Sequence, residues 1–134
     1  MKALLQRVTE ARVRVDDETV GEIGPGLLVL LGVGPADNET TCRRLADRVA
    51  RLRVFDDAEG RMNRSLADTG GEALVVSQFT LYADTSRGLR PSFTGAAEPA
   101  RARELYERFA SELGLLGVPT RLGRFGARMA VRLV

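Results

Sequence analysis

Two short apolar runs leave this chain few ways to fold. Leu27 to Leu31 is apolar throughout and continues into Gly32 and Val33, and Ala73 to Val76 is a second unbroken run. Neither alternates with polar residues, so each reads as a strand covered on both faces. Gly-Pro pairs bound the first run closely, which makes it a central strand. The second run turns polar without an obvious break, as Ser77, Gln78 and Thr80 interleave with Phe79 and Leu81. A buried polar group left without a partner costs about 1–3 kcal/mol. The partner is either structural, such as a neighbouring carbonyl, or a ligand. Asp84 to Gly88 is turn chemistry, and Arg90 to Gly95 is a second small, basic loop. A buried strand thus leads into two loops carrying Arg87 and Arg90, which suits an anionic ligand.

The flanking segments supply the rest of a single domain over residues 1–134. Lys2 to Thr9 reads as a first strand, and Ala11, Val13 and Val15 continue the alternation against Arg12 and Arg14. Asp16-Asp17-Glu18 turns the chain into a hairpin partner, Thr19 to Ile23. Asp37 or Asn38 caps a helix whose Cys42, Leu45, Ala46, Val49 and Leu52 share one face. Its other face, Arg43, Arg44, Asp47, Arg48 and Arg51, is either solvated or in contact with RNA. Val54-Phe55 is a short strand, Asp56 to Gly60 a turn, and Met62 to Thr69 a loop. Glu98-Pro99 opens a second helix, with Ala102, Leu105, Tyr106, Phe109 and Leu113 as its buried stripe and Gly114 as its end. Val118 to Leu122 and the alternating Met129, Val131 and Leu133 are the last strands. Between them, Gly123-Arg124-Phe125-Gly126 either brings backbone close to a ligand or permits a bulge. The expected fold is α+β, with a strongly curved, largely antiparallel sheet and two main helices.

Composition removes whole classes of chemistry. The chain has no histidine, which excludes Ser-His-Asp and Cys-His catalysis and most zinc sites. Cys42 is the lone cysteine, so no disulfide framework or cysteine metal site is expected. The acidic Asp56–Gly60 cluster lacks the alternating ligands and terminal glutamate of a calcium loop. No signal peptide or membrane-spanning stretch is read, and the expected location is cytoplasmic. Lys2 is the only lysine, so nearly all the positive charge is arginine.

The order and spacing of these segments resemble the D-aminoacyl-tRNA deacylase family over essentially the whole chain. The resemblance rests on Gln6-Arg7-Val8, Val20 to Gly24, Gly26 to Val33 and Leu52-Arg53-Val54-Phe55. It continues through Ser77-Gln78-Phe79-Thr80-Leu81, Arg90-Pro91-Ser92-Phe93 and Gly123 to Ala127. It implies a compact β-barrel-like homodimer that needs no cofactor or metal. It also implies hydrolysis of the ester of D-aminoacyl-tRNA, and of glycyl-tRNA mischarged on tRNA(Ala). By the same resemblance Ser77, Gln78, Phe79 and Thr80 line the catalytic pocket, Ala96, Phe125 and Met129 complete it, and Arg7 supports the chirality-reading loop. Arg87 and Arg90 are the expected tRNA contacts. The family's Asn-x-Gly-Pro-Val-Thr segment, with a Gly-cis-Pro peptide that excludes L-amino acids from the partner's pocket, would fall after Val134; either the sequence is truncated before it, the reading favoured by the close match up to Val134, or the protein lacks this chiral filter. Two rival readings stand beside the deacylase: a hydrolase of another small activated ester, and a non-catalytic module that binds tRNA or nucleotides.

Overall fold

The computed structural model describes all 134 residues. Its centre is a four-stranded sheet in the order β1 (Lys2–Val8), β4 (Gly26–Gly32), β7 (Glu72–Ser77), β8 (Thr120–Leu122). A second sheet joins β3 (Glu18–Ile23), β2 (Ala11–Val15) and β9 (Ala130–Leu133), and a small hairpin pairs β5 (Phe55–Asp56) with β6 (Met62–Arg64). The helices are α1 (Glu39–Arg51), the single-turn α2 (Leu66–Thr69) and α3 (Pro99–Leu115).

The two apolar runs are β4 and most of β7, and their lack of alternation has a direct cause. Leu27, Val29, Leu31, Ala73 and Val75 join Ala46, Val49, Leu105 and Phe109 of the two long helices in one core. The intervening Leu28, Leu74 and Val76 pack with Val8 of β1 and with Ala11, Val13 and Ile23 of the second sheet in a second core. The central sheet is therefore covered on both faces, and its inner strands are apolar at consecutive positions from Leu27 to Leu31 and from Ala73 to Val76.

The α+β class is observed, with several corrections. The central sheet is not largely antiparallel: β4–β7 and β7–β8 are parallel and only β1–β4 is antiparallel. Parallel neighbours require a long crossover, and here α1 and α3 lie within those crossovers. The two larger sheets stay separate and do not close into a barrel. The alternation from Lys2 to Val15 is not one continuous strand, because the chain leaves the central sheet after Val8 and enters the second sheet at Ala11. Met62 to Thr69 is not a loop: β6 occupies its start, and Ser65 and Asp68 cap α2 reciprocally. The second helix passes Gly114 to Leu115, and the left-handed residue beyond it is Gly117, at φ 83°.

The hairpin of β2 and β3 appears as read, with a bulge at Val13/Arg14. Asn38 is the cap of α1: its side chain accepts from Thr41 N–H, and the Thr41 hydroxyl accepts from Asn38 N–H. No helix is long and apolar enough to cross a membrane.

Gly26 sits where β4 and β7 approach most closely. A β-carbon there would lie 1.9 Å from the Glu72 carbonyl oxygen, so Gly26→Ala must spread the parallel ladder. We expect it to destabilise the fold by about 3 kcal/mol in urea unfolding. Gly114→Ala, where an added β-carbon meets nothing within 4 Å, should instead stabilise α3 by about 0.5–1 kcal/mol.

Candidate active site

Because β4 and β7 run parallel, both end at the same edge of the sheet, with Leu31 opposite Ser77. Open sheets of this kind bind ligands at the carboxyl ends of their strands. A cleft of about 680 Å³ lies there. Its floor is Leu31 and Val33, beyond which stand Ser77 and Phe79. Phe93, Thr94 and Ala96 close one side, and Phe125, Ala127 and Met129 another. The first turn of α3, Pro99 and Ala102, completes the wall.

The polar tail of the second run does not continue as strand. β7 stops at Ser77, and Phe79 to Tyr82 form one turn of 3-10 helix. Gln78 N–H still donates to the Leu31 carbonyl at 2.8 Å, which ties the start of the turn to β4. The Gln78 side-chain amide donates to the Thr80 hydroxyl. The N–H groups of Phe79 and Thr80 lead the turn, find no acceptor inside it, and donate to no loop carbonyl or side chain. Two donors that the turn itself cannot satisfy therefore follow the end of β7, and Phe79 lines the cleft.

The walls are aromatic and held from behind. Phe79, 55 % exposed, meets Phe93 edge to face with ring centroids 5.1 Å apart. Phe125 lies against Tyr106 at 5.8 Å. The buried Tyr106 hydroxyl donates to the Val75 carbonyl at 3.0 Å, fixing α3 to β7 directly behind the cleft. Gly123 makes room for Met129, whose sulfur would lie 2.8 Å from a β-carbon at that position.

The expected site residues divide into four groups. Ser77, Phe79, Ala96, Phe125 and Met129 converge on the cleft. Gln78 and Thr80 belong to the adjoining turn and are not among its lining residues. Arg87 and Arg90 occupy an exposed loop closed by a two-way backbone bridge between Asp84 and Ser92. Neither arginine makes a hydrogen bond or ion pair within the chain. Arg7 lies elsewhere: it pairs with Leu27, four residues and roughly 13 Å along β4 from Leu31. There its guanidinium donates to the Val54 carbonyl at 2.8 Å and to Asp56 at 3.1 Å.

Sequence reasoning missed Leu31, Val33, Phe93 and the start of α3 as cleft walls. The parallel course of β4 and β7 was the signal for the first two, and the aromatic ending of Arg90-Pro91-Ser92-Phe93 for the third. Asp84 is a poor general base: hydrogen bonds from Ser86, side chain and backbone, hold its carboxyl below the ordinary value. No three Cys, Asp or Glu side chains gather as a metal-ligand set.

Comparison with known proteins agrees with this architecture. Residues 4–134 match the family model described as D-Tyr-tRNA(Tyr) deacylase. A D-aminoacyl-tRNA deacylase of Roseiflexus sp. (strain RS-1) is 61 % identical over all of this chain and 86 % of its own length. That of Deinococcus radiodurans is 58 % identical, over all of this chain and 92 % of the relative. Among solved structures, one described as the c-Myc DNA unwinding element binding protein superposes with a TM-score of 0.91 at 36 % identity, covering 99 % of this chain and 91 % of that one. A probable eukaryotic D-amino acid tRNA deacylase superposes at 0.85 with 18 % identity, covering 98 % and 92 %, a likeness of fold.

The Tyr106 hydroxyl supplies a test of how the cleft is supported. Burial pushes this phenol up to about 12, above its ordinary 10.0. The folded chain therefore keeps a proton that the unfolded chain releases, so the associated stability is intact below pH 10 and lost as pH rises to about 12. The loss is expected to total roughly 3 kcal/mol. Tyr106→Phe should cost about 1 kcal/mol at pH 8 and flatten the decline between pH 10 and 12. Urea unfolding across that range checks both.

Proposed function

The chain belongs to the D-Tyr-tRNA(Tyr) deacylase family, and on that footing we propose that its cleft hydrolyses the ester joining a D-amino acid to the 3′ end of tRNA. The observation that carries this reading is the break after Ser77, where a 3-10 turn opens with two backbone N–H groups that it cannot itself satisfy, next to an aromatic cleft. In the reaction, water adds to the ester carbonyl, the carbonyl oxygen becomes an oxyanion, and the ribose oxygen leaves with a proton. Donors aimed at such an oxyanion are worth about 2.7–4 kcal/mol each when well placed. The N–H groups of Phe79 and Thr80 fill that role, while Phe79, Phe93 and Phe125 offer π-faces to the terminal base.

The attacking water needs no protein nucleophile. Thr80 has no histidine to activate it; its hydroxyl accepts from the Gln78 amide, and Asp84 is occupied by Ser86. The ribose 2′-hydroxyl of the substrate instead orients the water. Arg87 and Arg90 contact tRNA phosphates, and Arg7 supports the loop that reads chirality. Glycyl-tRNA mischarged on tRNA(Ala), carrying no side chain to reject, fits the same cleft. The enzyme works as a cytoplasmic homodimer, for which the exposed Leu4 on edge strand β1 and the exposed Val131 and Leu133 on edge strand β9 offer apolar surface.

Incubation with D-tyrosyl-tRNA should release tyrosine faster than buffer does, and no acceleration would remove the deacylase reading. Thr80→Ala should keep substantial activity, with a loss of about tenfold, or ~1.4 kcal/mol. A substrate ending in 2′-deoxyadenosine should be hydrolysed very poorly. A dead Thr80→Ala enzyme with an active deoxy substrate would establish covalent catalysis by Thr80.

A further inference from the structure

Several arginines have neither a partner in the chain nor a role in the cleft, and two of them stand together on α1. Ten of the arginines stand within 4.0 Å of a carboxylate and are neutralised locally. On α1, Arg43 reaches Glu112 at 3.9 Å and Arg51 bonds Asp47 at 2.6 Å. Arg44 and Arg48 are exposed and bond to nothing in the chain. Four residues apart, they share one face of the helix, about 6 Å from each other along its axis. Two like charges at this spacing repel slightly, and of the two only Arg48, in the last turn of α1, gains from the helix dipole.

Beneath this face lies a groove of about 320 Å³ lined by Met1, Asp37, Thr41, Arg44, Leu45 and Arg48. Its one carboxylate, Asp37, is already engaged, accepting from Gly34 N–H at 2.7 Å and pairing with the Met1 ammonium. The groove and the active-site turn have a common neighbour in Gly34, whose N–H bonds the groove's Asp37. Tyr82, the last residue of that turn, lies against Gly34. The Lys2 ammonium sits 4.4 Å over the Tyr82 ring and donates to the Leu81 carbonyl at 3.0 Å. Lys2, beside this turn, and Arg44 and Arg48, on α1, are three cations with no carboxylate partner in the chain.

We propose that the Arg44–Arg48 face of α1, with the groove beneath it, docks the phosphate backbone of duplex RNA: the stem of the tRNA whose 3′ end occupies the cleft. The inference rests on the deacylase reading for the identity of the occupant. The chemistry is that of the arginine fork, which matches phosphate geometry. Charge repeated along one helix face suits a polyanion better than a single carboxylate.

The test compares the parent with Arg44→Gln/Arg48→Gln on two substrates, D-tyrosyl-tRNA and a CCA trinucleotide esterified with D-tyrosine. The variant should lose several-fold in kcat/KM on tRNA through KM, keep kcat, and match the parent on the trinucleotide. Its dependence of log kcat/KM on log salt should be shallower by roughly two units, about 0.9 for each lost phosphate contact. Arg44→Glu/Arg48→Glu should deepen the tRNA defect, and Arg12→Gln, on the opposite layer, should leave the salt slope unchanged. An unchanged tRNA KM and salt slope would overturn the proposal, and so would equal losses on both substrates. A parent inactive on both substrates would overturn the deacylase reading and the docking surface with it, whereas a parent and variant equally active on both would overturn the docking surface alone.

Discussion

β4 and β7 lie side by side in parallel register from Gly26–Glu72 to Leu31–Ser77, and both faces of this ladder are covered. The arrangement sets the layer order, because apolar side chains pointing both ways require helices on one face and a second sheet on the other. It also sets the site. Parallel strands finish together, so the backbone polar groups freed at the end of one strand appear beside those of the other. The closest approach is at Gly26, where no side chain fits.

The cleft follows from how the chain leaves this ladder. Extended structure would carry Ser77 to Thr80 onward with alternating faces. Instead the backbone tightens into a 3-10 turn, anchored by Gln78 N–H on the Leu31 carbonyl. A short turn has no internal acceptors for its first N–H groups, so those of Phe79 and Thr80 go unsatisfied within it. Around them the protein wastes little polarity: no buried side-chain nitrogen or oxygen is left without a partner. The Tyr106 hydroxyl is part of that economy, since its bond to Val75 holds α3, and through Phe125 one cleft wall, against the sheet.

Much of the fold was legible because its signals are local. Asn38 with Thr41 marks the start of α1, proline at position 99 marks the start of α3, and the alternation from Ala11 to Val15 marks a half-buried strand. The parallel sense of the central sheet was also written in the chain, since two continuous apolar runs separated by a helix are the pattern of a covered parallel sheet. Counting strands against helices obscured it. The α2 turn was missed because Ser65-Leu66-Ala67-Asp68 is a capping box on a helix too short to show periodicity.

By itself the sequence determined which stretches are apolar on both faces, where the helices begin and that histidine chemistry is absent, all properties of local spacing and composition. The resemblance to a known family, and not spacing, pointed to Ser77 to Thr80 and to Phe125 and Met129 as parts of one pocket. Tertiary structure decided the direction of the central strands, the change from strand to 3-10 turn after Ser77, the distance of Arg7 from the cleft within one chain, and which arginines are left unneutralised. Each of these depends on which distant group arrives as a hydrogen-bond partner or counter-ion: Leu31 for Gln78, Val54 and Asp56 for Arg7, Glu112 for Arg43, and none for Arg44 and Arg48. Partners separated by tens of residues along the chain leave no trace in local pattern, so only the folded arrangement reveals them.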